Sequence, residues 1–362
     1  MSLLQPLFSG KLDIIGDVHG ELEALVNIVK SLGYDKDGNH PDNRKLVFVG
    51  DLVDRGPDSP GVVWFVKNLI DKGNAQMVLG NHEINVLQHK AKEGSGWYFE
   101  SQAHKDKSYN PFKTASEKEK VEIFSFLSGL PIALENDELR VIHAAWLPEK
   151  IEEIKKIPLG NGGRAFISFE KIINEDIKVS GLLENYHLEQ EEWSEEIEDK
   201  YAELKFLDYT CSYNLAHQMN NPLRALTAGV EKRADNMFFA SGKWRFVQRE
   251  NWWNSYADEK PVVIGHFWRK INQPKVITDE NVFFGINPNE WHGLKNNVFC
   301  VDFSVGARFL EREKDNNIGE NTHLVALRWP ERELCFEDGS CLKTIISESK
   351  ENSVLGAKKL KR

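Results

Sequence analysis

Gly-Asp-Val-His-Gly at residues 16–20 follows directly on an apolar run at 12–15, and the fold is predicted from this pairing of an apolar run with a polar block. It recurs twice, with Gly-Asp-Leu-Val-Asp-Arg-Gly at 50–56 and Gly-Asn-His-Glu at 80–83. Short apolar runs that end in glycine and polar residues are typical of buried strands. Because the carboxyl ends of parallel strands meet at one edge of a sheet, we expect the three polar blocks to lie together.

Helices are predicted between these strands. Apolar side chains recur at helical spacing over 21–32, before the stop at Gly33, and a second helix is predicted over 62–70. Strands are predicted at 12–15, 46–49, 77–79, 139–142, 262–264 and 298–303, with two more near 323–329 and 333–336. The alternation of strands and helices predicts an α/β (α+β) fold.

The composition of the 362 residues indicates a folded protein with a sizeable core, since 41% are hydrophobic and 28% are charged. The net charge of −10 disfavours broad binding to nucleic-acid backbones. No leader pattern begins the chain, and no apolar run approaches the roughly 20 residues of a membrane helix, so we expect a cytoplasmic protein without a membrane partner. The four cysteines form no metal or disulfide pattern and are expected to be reduced thiols: Cys211, Cys300, Cys335 and Cys341.

A long segment, 149–260, separates the earlier strands from the later ones and is interpreted as an inserted, mainly helical cap. The flanking segments 1–148 and 261–345 then form one discontinuous domain, and 346–362 is a frayed tail. The acidic run at 184–203 is most simply a solvated helix face.

An aromatic cluster near the end of the cap has two interpretations. Its members are Trp244, Phe246, Trp252, Trp253 and Tyr256. If they are exposed, they offer faces on which a nucleobase stacks. If they are buried, they form the core of the cap, which is the commoner use of such residues.

The polar residues at the strand ends are carboxylate, imidazole and amide groups, the ligands that divalent and trivalent metal ions accept. They are, in chain order, Asp17, His19, Asp51, Asn81, His143 and His266. Taken singly, an aspartate after a strand is more often a helix cap, and a histidine is more often a satisfied core residue. Their joint occurrence after five strands favours a metal centre, in which two ions about 3.5–4 Å apart would share a bridging carboxylate.

The three blocks resemble those of the calcineurin-like metallophosphoesterase superfamily. The arginine in the block at 50–56 resembles that of the phosphoprotein phosphatase branch. Leu79, where eukaryotic-type enzymes carry arginine, makes the chain similar to the bacterial relatives of that branch, which include dinucleoside tetraphosphatases. The resemblance is dense over 12–88 and continues only in short islands beyond. It implies a four-layer αββα sandwich, in which two mixed β-sheets pack face to face with helices outside.

The resemblance also implies a two-metal site in which Asp51 bridges the ions. The other ligands divide between the ions, with Asp17 and His19 on the first and Asn81, His143 and His266 on the second. Manganese is the ion most expected in vitro, and iron, zinc or cobalt would also accept these ligands.

The same resemblance assigns three catalytic roles. His82 would donate a proton to the leaving oxygen, Asp54 would orient His82, and Arg55 would bind two phosphoryl oxygens through its planar fork. A second phosphate-binding arginine is expected between the two late ligand histidines. We name Arg245 for it, although other cations lie close by in sequence: Arg249, Lys243, Arg233 and Arg269.

One further acidic residue, Asp302, ends the strand predicted at 298–303. It has two interpretations of equal weight. It could support a ligand histidine from behind, or it could cap the turn that follows the strand.

Three hypotheses for function follow. The first is a phosphomonoesterase, with phosphoserine or phosphothreonine proteins as the leading substrate class. The second is a hydrolase of dinucleoside polyphosphates or other nucleotides, and it is favoured by Leu79 and by the Ala144-Ala145 pair, where eukaryotic-type protein phosphatases carry arginine and Gly-Gly. The third is a metal-containing binding module without catalysis, which the complete ligand set disfavours.

Overall fold

The computed structural model describes residues 1–271, 282–314 and 318–346. The strands are β1 (Leu4–Pro6), β2 (Leu12–Ile15), β3 (Lys45–Phe48), β4 (Ala75–Met77), β5 (Ala133–Glu135), β6 (Arg140–Ile142), β7 (Glu231–Ala240), β8 (Lys243–Arg249), β9 (Val262–Ile264), β10 (Glu290–Trp291), β11 (Val298–Cys300), β12 (Val325–Trp329), β13 (Glu333–Phe336), β14 (Cys341–Lys343) and β15 (Ile345–Ile346). The α-helices are α1 (Leu22–Ser31), α2 (Ser59–Asp71), α3 (Asn81–Leu87), α4 (Glu100–Ala103), α5 (Glu117–Ser128), α6 (Pro148–Ile154), α7 (Gly162–Val179), α8 (Leu182–Glu192), α9 (Asp208–Asn220), α10 (Pro222–Ala228) and α11 (Arg308–Glu313). Apart from Ile346, the predicted tail lies outside the described residues.

Two mixed sheets carry the fold. One has six strands in the order β14-β13-β12-β2-β3-β4, and the other has five in the order β1-β5-β6-β9-β11. In the first, β2, β3 and β4 run parallel while β12 is antiparallel to β2. In the second, β5 and β6 are antiparallel and the other pairs are parallel. The predicted third strand is wrong by two residues, because β4 ends at Met77 and the amide of Leu79 donates instead to the carbonyl of Pro131.

The two sheets pack face to face. Because successive residues of a strand point to opposite faces of its sheet, one set of side chains faces the other sheet and the next set faces the helices. Ile14 of β2 lies in an apolar core with Val263 of β9, between the two sheets. The next residue, Ile15, and Phe48 of β3 belong to a second core that includes Leu25 of α1. Helices therefore cover the outer side, and the predicted four-layer αββα arrangement is confirmed.

The segment interpreted as a cap contains α6 to α10 and the hairpin β7–β8, so it is mainly helical but not wholly so. The acidic run lies largely exposed, with Glu189 buried as the acceptor for the Thr210 amide and hydroxyl. Phe166 of α7 and Leu223 of α10 pack in the core beneath the outer helices. The domain boundaries themselves stay a prediction.

The aromatic cluster is divided between two cores. Phe246 lies in a small cluster with Leu207 and Cys211, and Trp244 packs against it. The other members, Trp252, Trp253 and Tyr256, are buried in the large outer core. The packing interpretation therefore holds for Phe246, Trp252, Trp253 and Tyr256, whose buried rings offer no open face to a nucleobase, while Trp244 is partly buried.

The expectation of four reduced thiols is wrong for two of them, because Cys335 and Cys341 form a disulfide. They are register partners on the antiparallel strands β13 and β14, with their Cα atoms 4.2 Å apart. A spacing of six residues is too short to suggest a pair until the hairpin between them is known. Cys211 and Cys300 are free and buried. Among the described helices, none is long and apolar enough to cross a membrane.

Candidate metal and phosphoester site

The polar residues after the strand ends meet in one cluster. Ligand atoms of His19, Asp51 and His82 lie within 4.8 Å of one another, and so do those of Asp51, His143 and His266. Asp51 belongs to both groups, which is the position a shared carboxylate needs. The clustering follows from the parallel order β2-β3-β4, which brings the three blocks to one sheet edge.

The other two predicted ligands join the same cluster. A carboxylate oxygen of Asp17 lies 4.0 Å from Nε2 of His19 and accepts from the backbone amide of His266. Oδ1 of Asn81 lies 2.9 Å from Nδ1 of His266 and 3.3 Å from Nε2 of His143. The structure thus brings together every residue that the sequence predicts as a ligand.

Backbone carbonyl groups fix two of the imidazoles. Nδ1 of His19 donates to the carbonyl of Val53 at 3.0 Å, and Nδ1 of His143 donates to the carbonyl of Val49 at 2.8 Å. With Nδ1 protonated, the lone pair of each neutral ring lies on Nε2. Nε2 of His143 is 3.2 Å from Oδ2 of Asp51, so its lone pair faces the cluster. Such outer hydrogen bonds set the tautomer of metal-binding histidines.

The loops at this edge hold unusual backbone conformations. Left-handed φ angles occur at His19 (46°), Asp51 (49°), Asp54 (74°), Arg55 (69°) and His266 (67°). Residues other than glycine rarely adopt them, and strained backbone concentrates at functional sites. Gly80 is required for a different reason, since a Cβ there would lie 2.1 Å from Oδ1 of Asp51.

Buried carboxylates of the cluster repel one another. Burial, and then the charges of Asp302 and Asp51, raise the pKa of Asp17 well above its ordinary value. Burial also lowers the pKa of His266, followed by the charges of His143 and Arg249. Bound divalent cations would relieve the repulsion between the carboxylates, and the set of carboxylate, imidazole and amide donors suits them. The residues present therefore fit a metal site.

Glu83 is part of the third polar block, yet no role is predicted for it from the sequence. Its carboxylate accepts from the backbone amides of Asp51, Leu52 and Gly80 at 2.8–2.9 Å. It therefore ties the loop after β3 to the start of α3, which fixes Asp51 relative to Asn81. The sequence signal for it was only its place in the Gly-Asn-His-Glu block, because its burial, which calls for hydrogen-bond partners, becomes visible in the structure.

His82 and Asp54 form a buried pair. Nδ1 of His82 lies 2.6 Å from Oδ2 of Asp54, and Nε2 is 3.8 Å from a carboxylate oxygen of Asp51. The indole of Trp97 donates to the other oxygen of Asp54 at 2.5 Å. Trp97 comes from a loop without any motif, and sequence reasoning missed it. The pair holds the second imidazole nitrogen toward the cluster.

Arg55 lies at the rim of the cluster. Its guanidinium is 3.3 Å from Nε2 of His19 and packs over the exposed ring of Trp268, with its carbon 5.1 Å from the ring centroid. Its backbone amide donates to the carbonyl of Gly94. Within the described ranges no carboxylate lies within 4.0 Å of this side chain, so its fork is available for an anion.

Two arginines of β8 are placed differently. Nε of Arg245 donates to the carbonyl of Ala240, at the turn of the hairpin. The guanidinium carbon of Arg249 lies 5.4 Å from the ring centroid of Phe267, the neighbour of His266. Because the charge of Arg249 contributes to lowering the pKa of His266, Arg249 is the arginine of the hairpin that reaches the cluster.

Asp302 lies against Asp17 rather than against a ligand histidine. Its Oδ1 accepts from the amide of Ser304 at 2.9 Å, which is the turn-capping interpretation. Burial raises its pKa to about 6.

The model of the calcineurin-like phosphoesterase family matches residues 10–204, more than half of the chain. The chain belongs to this family. It is a metallophosphoesterase, and its bacterial relatives include a bis(5'-nucleosyl)-tetraphosphatase PrpE (asymmetrical) from Geobacillus sp. (strain WCH70), 51% identical over 75 residues. That match covers 20% of this chain and 31% of the relative, so the chain spans about a third of the length of the curated relatives it matches.

Solved structures with a similar course of the chain include two phosphatases. One is a cold-active protein-tyrosine phosphatase of a psychrophilic Shewanella sp., with a TM-score of 0.48, 15% identity, and coverage of 95% of this phosphoesterase and 83% of that chain. The other is a protein serine/threonine phosphatase from Saccharomyces cerevisiae, with a TM-score of 0.44, 13% identity, and coverage of 94% and 81%.

Proposed function

We propose that this phosphoesterase hydrolyses phosphomonoesters that have an alkoxide leaving group, and that its substrates are phosphoserine and phosphothreonine proteins. The observation that carries the proposal is the buried His82–Asp54 pair beside the metal-ligand cluster. A positioned acid accelerates a reaction most when the leaving oxygen is strongly basic, and serine and threonine alkoxides are.

Two ions are proposed, held by Asp17 and His19 on one side, by Asn81, His143 and His266 on the other, and by Asp51 between them. When bound, the ions would supply a water that is deprotonated near neutral pH and would neutralise phosphoryl oxygens. Manganese is proposed for activity in vitro, with iron, zinc and cobalt as the other candidates.

The remaining steps belong to the protein's own side chains. Nε2 of His82 donates a proton to the leaving oxygen, while the Asp54 carboxylate stabilises the imidazolium and holds the ring in place. Arg55 binds phosphoryl oxygens with a guanidinium that has no competing carboxylate. We assign the second phosphate contact to Arg249 rather than to Arg245, because Arg249 lies beside Phe267 and acts on His266.

A second candidate function is the hydrolysis of dinucleoside polyphosphates. It is favoured by the name of the relative that is 51% identical over 75 residues. Against it stands the burial of Trp252, Trp253 and Tyr256, which leaves these three rings without a stacking face for a nucleobase.

The test is a set of initial rates for the manganese-loaded protein on phosphoserine and phosphothreonine peptides, diadenosine tetraphosphate and p-nitrophenyl phosphate. Asp51→Asn is the inactive control, and its metal content is measured alongside. Higher kcat/KM on the peptides than on the dinucleotide is expected. The reverse preference would replace the proposed function by the second candidate, and metal-loaded protein inactive on all substrates would favour a binding module.

A further inference from the structure

A polar cavity lies along one side of the β7–β8 hairpin. It encloses about 1090 Å³, and three residues that line it are Arg245, Val247 and Arg249, at alternate positions of β8. Of the two residues between them, Phe246 is buried in the small aromatic cluster, whereas Gln248 also lines the cavity. The cavity therefore lies beside the aromatic packing of the hairpin.

Arg249 lies between the cavity and the phosphoester site. This side chain lines the cavity and also reaches Phe267, next to the ligand His266. A phosphorylated side chain would fill only a small part of such a volume, which is at the upper end of the roughly 300–1,000 Å³ of a small-molecule pocket. The rest is available to whatever carries the phosphoryl group.

The charges that line the cavity balance. Among the described lining residues the cations are Lys232, Arg245 and Arg249, and the acids are Glu231, Asp235 and Glu250. Amide and hydroxyl side chains, including Asn236, Gln248 and Ser255, make up much of the remainder. A site that binds a chain of phosphates is expected to carry an excess of cations, which this lining lacks. A balanced, amide-rich lining is instead complementary to a polypeptide, whose backbone offers alternating donors and acceptors.

Arg245 is the charged group best placed to select among peptides. In the part of the chain that the structure describes, it forms no ion pair, and only its Nε is used, by the carbonyl of Ala240. It lies four residues from Arg249 on an extended strand, which is about 13 Å at roughly 3.3 Å per residue. An extended peptide covers the same distance in about four residues.

From this arrangement we infer that the cavity binds the polypeptide that flanks the phosphorylated residue, and that Arg245 selects an acidic side chain about four positions from it. The inference rests on the proposed function and adds to it a substrate preference. A carboxylate would complete the free fork of Arg245 with charge-assisted hydrogen bonds. Glu231 lies opposite Arg249 at the other end of β8, so Arg245 is the cation of this strand that is left for the acidic side chain of the peptide.

The experiment compares phosphoserine peptides that carry glutamate or glutamine four positions before or after the phosphoserine. The wild type is expected to show kcat/KM about tenfold higher for one of the glutamate peptides than for its glutamine match, the effect of one charge-assisted hydrogen bond. Arg245→Ala should remove this ratio, and Arg245→Lys should restore part of it. Arg233→Ala is the matched control, because Arg233 is on the same hairpin but pairs with Asp208 and does not line the cavity.

Several results would overturn the inference. Equal kcat/KM for the glutamate and glutamine peptides in the wild type would do so while leaving the proposed phosphatase activity in place. An equal loss on all peptides and on p-nitrophenyl phosphate in Arg245→Ala would make Arg245 a phosphoryl contact. If no phosphopeptide is hydrolysed, the proposed function fails. The cavity is then tested separately by measuring how the same peptides, fluorescently labelled, bind to Asp51→Asn by fluorescence anisotropy. Equal affinities for the glutamate and glutamine peptides would refute the inference.

Discussion

Asp54→Asn tests the proposed proton donor by replacing one carboxylate oxygen of Asp54 with an amide NH2 group. The carboxylate accepts from His82 at 2.6 Å and from Trp97 at 2.5 Å, and it is fully buried. In the variant the amide oxygen can still accept from Trp97, but the amide nitrogen then faces Nδ1 of His82. The imidazolium loses its acceptor, so its ability to exist as a charged acid is reduced.

The magnitude follows from the kind of bond that is lost. A hydrogen bond to a charged group contributes about 1.5–3 kcal/mol, which corresponds to about a 10-fold to 100-fold decrease in kcat. The decrease is expected on a phosphoserine peptide. It should be much smaller on p-nitrophenyl phosphate, whose leaving group needs little protonation.

The assay is kcat for both substrates in wild type, Asp54→Asn, His82→Ala and Trp97→Phe, with metal content measured for each. His82→Ala should show the same substrate dependence with a larger loss, about 10²–10⁴ on the peptide. Trp97→Phe is the control, since it removes the other hydrogen bond of Asp54 and leaves the pair with His82. Equal losses on both substrates, or loss of metal in Asp54→Asn, would refute the reasoning.

Three further perturbations test the frame around the site. Glu83→Gln places an amide group against three backbone N–H donors and should lower the free energy of unfolding by about 1–3 kcal/mol, measured by urea titration. Gly306→Ala would place a Cβ 2.3 Å from the ring of His19, so metal content by elemental analysis should fall. Gly162→Ala, whose Cβ would meet nothing closer than 3.7 Å and whose φ is not left-handed, tests for a general effect of the substitution. Glu170→Gln tests a charge in the cap: burial raises the pKa of Glu170, but hydrogen bonds led by His217 outweigh it and lower the value from 4.5 to about 2. A lowered folded-state pKa stabilises above the unfolded value, so the variant should be less stable by about 1–2 kcal/mol at pH 7, after allowance for partial exposure, and the difference should vanish as pH falls from about 4.5 toward 2. A difference that persists at pH 2 would contradict the charge-based account.

The clustering of the predicted metal ligands could be anticipated from the sequence because each residue depends on its own strand and loop. A short apolar run specifies a buried strand, and the residue that follows it is placed at the sheet edge by chain connectivity alone. Asp17, Asp51 and Asn81 follow three parallel neighbours, so knowledge of the strand order was enough to bring them together. His143 and His266 follow strands that are parallel neighbours in the other sheet.

Contacts made by distant loops could not be predicted in this way. Trp97 meets Asp54 across 43 residues of chain, and nothing in the sequence near Trp97 marks it. The choice between Arg245 and Arg249 depended on which end of β8 lies near His266, which is a property of how the hairpin packs. The disulfide of Cys335 was missed for the same reason, since its partner becomes a neighbour only through the β13–β14 register.

The arrangement of unpaired arginines connects the chemistry with the choice of substrate. In a chain with 56 acidic and 46 basic residues, a guanidinium that has no carboxylate partner forgoes an interaction that is widely available. Arg55 and Arg245 form no ion pair among the described residues. Arg245 lines the cavity together with Arg249, which faces Glu231 across the hairpin, and Arg55 lies at the metal-ligand cluster. Carboxylates of the protein itself, paired with these arginines, would have stabilised the fold but would have competed with a negatively charged substrate. Leaving these groups free near buried ligands therefore favours a substrate that brings its own negative charge, with the phosphoryl group at Arg55 and Arg249 and a further acidic group at Arg245.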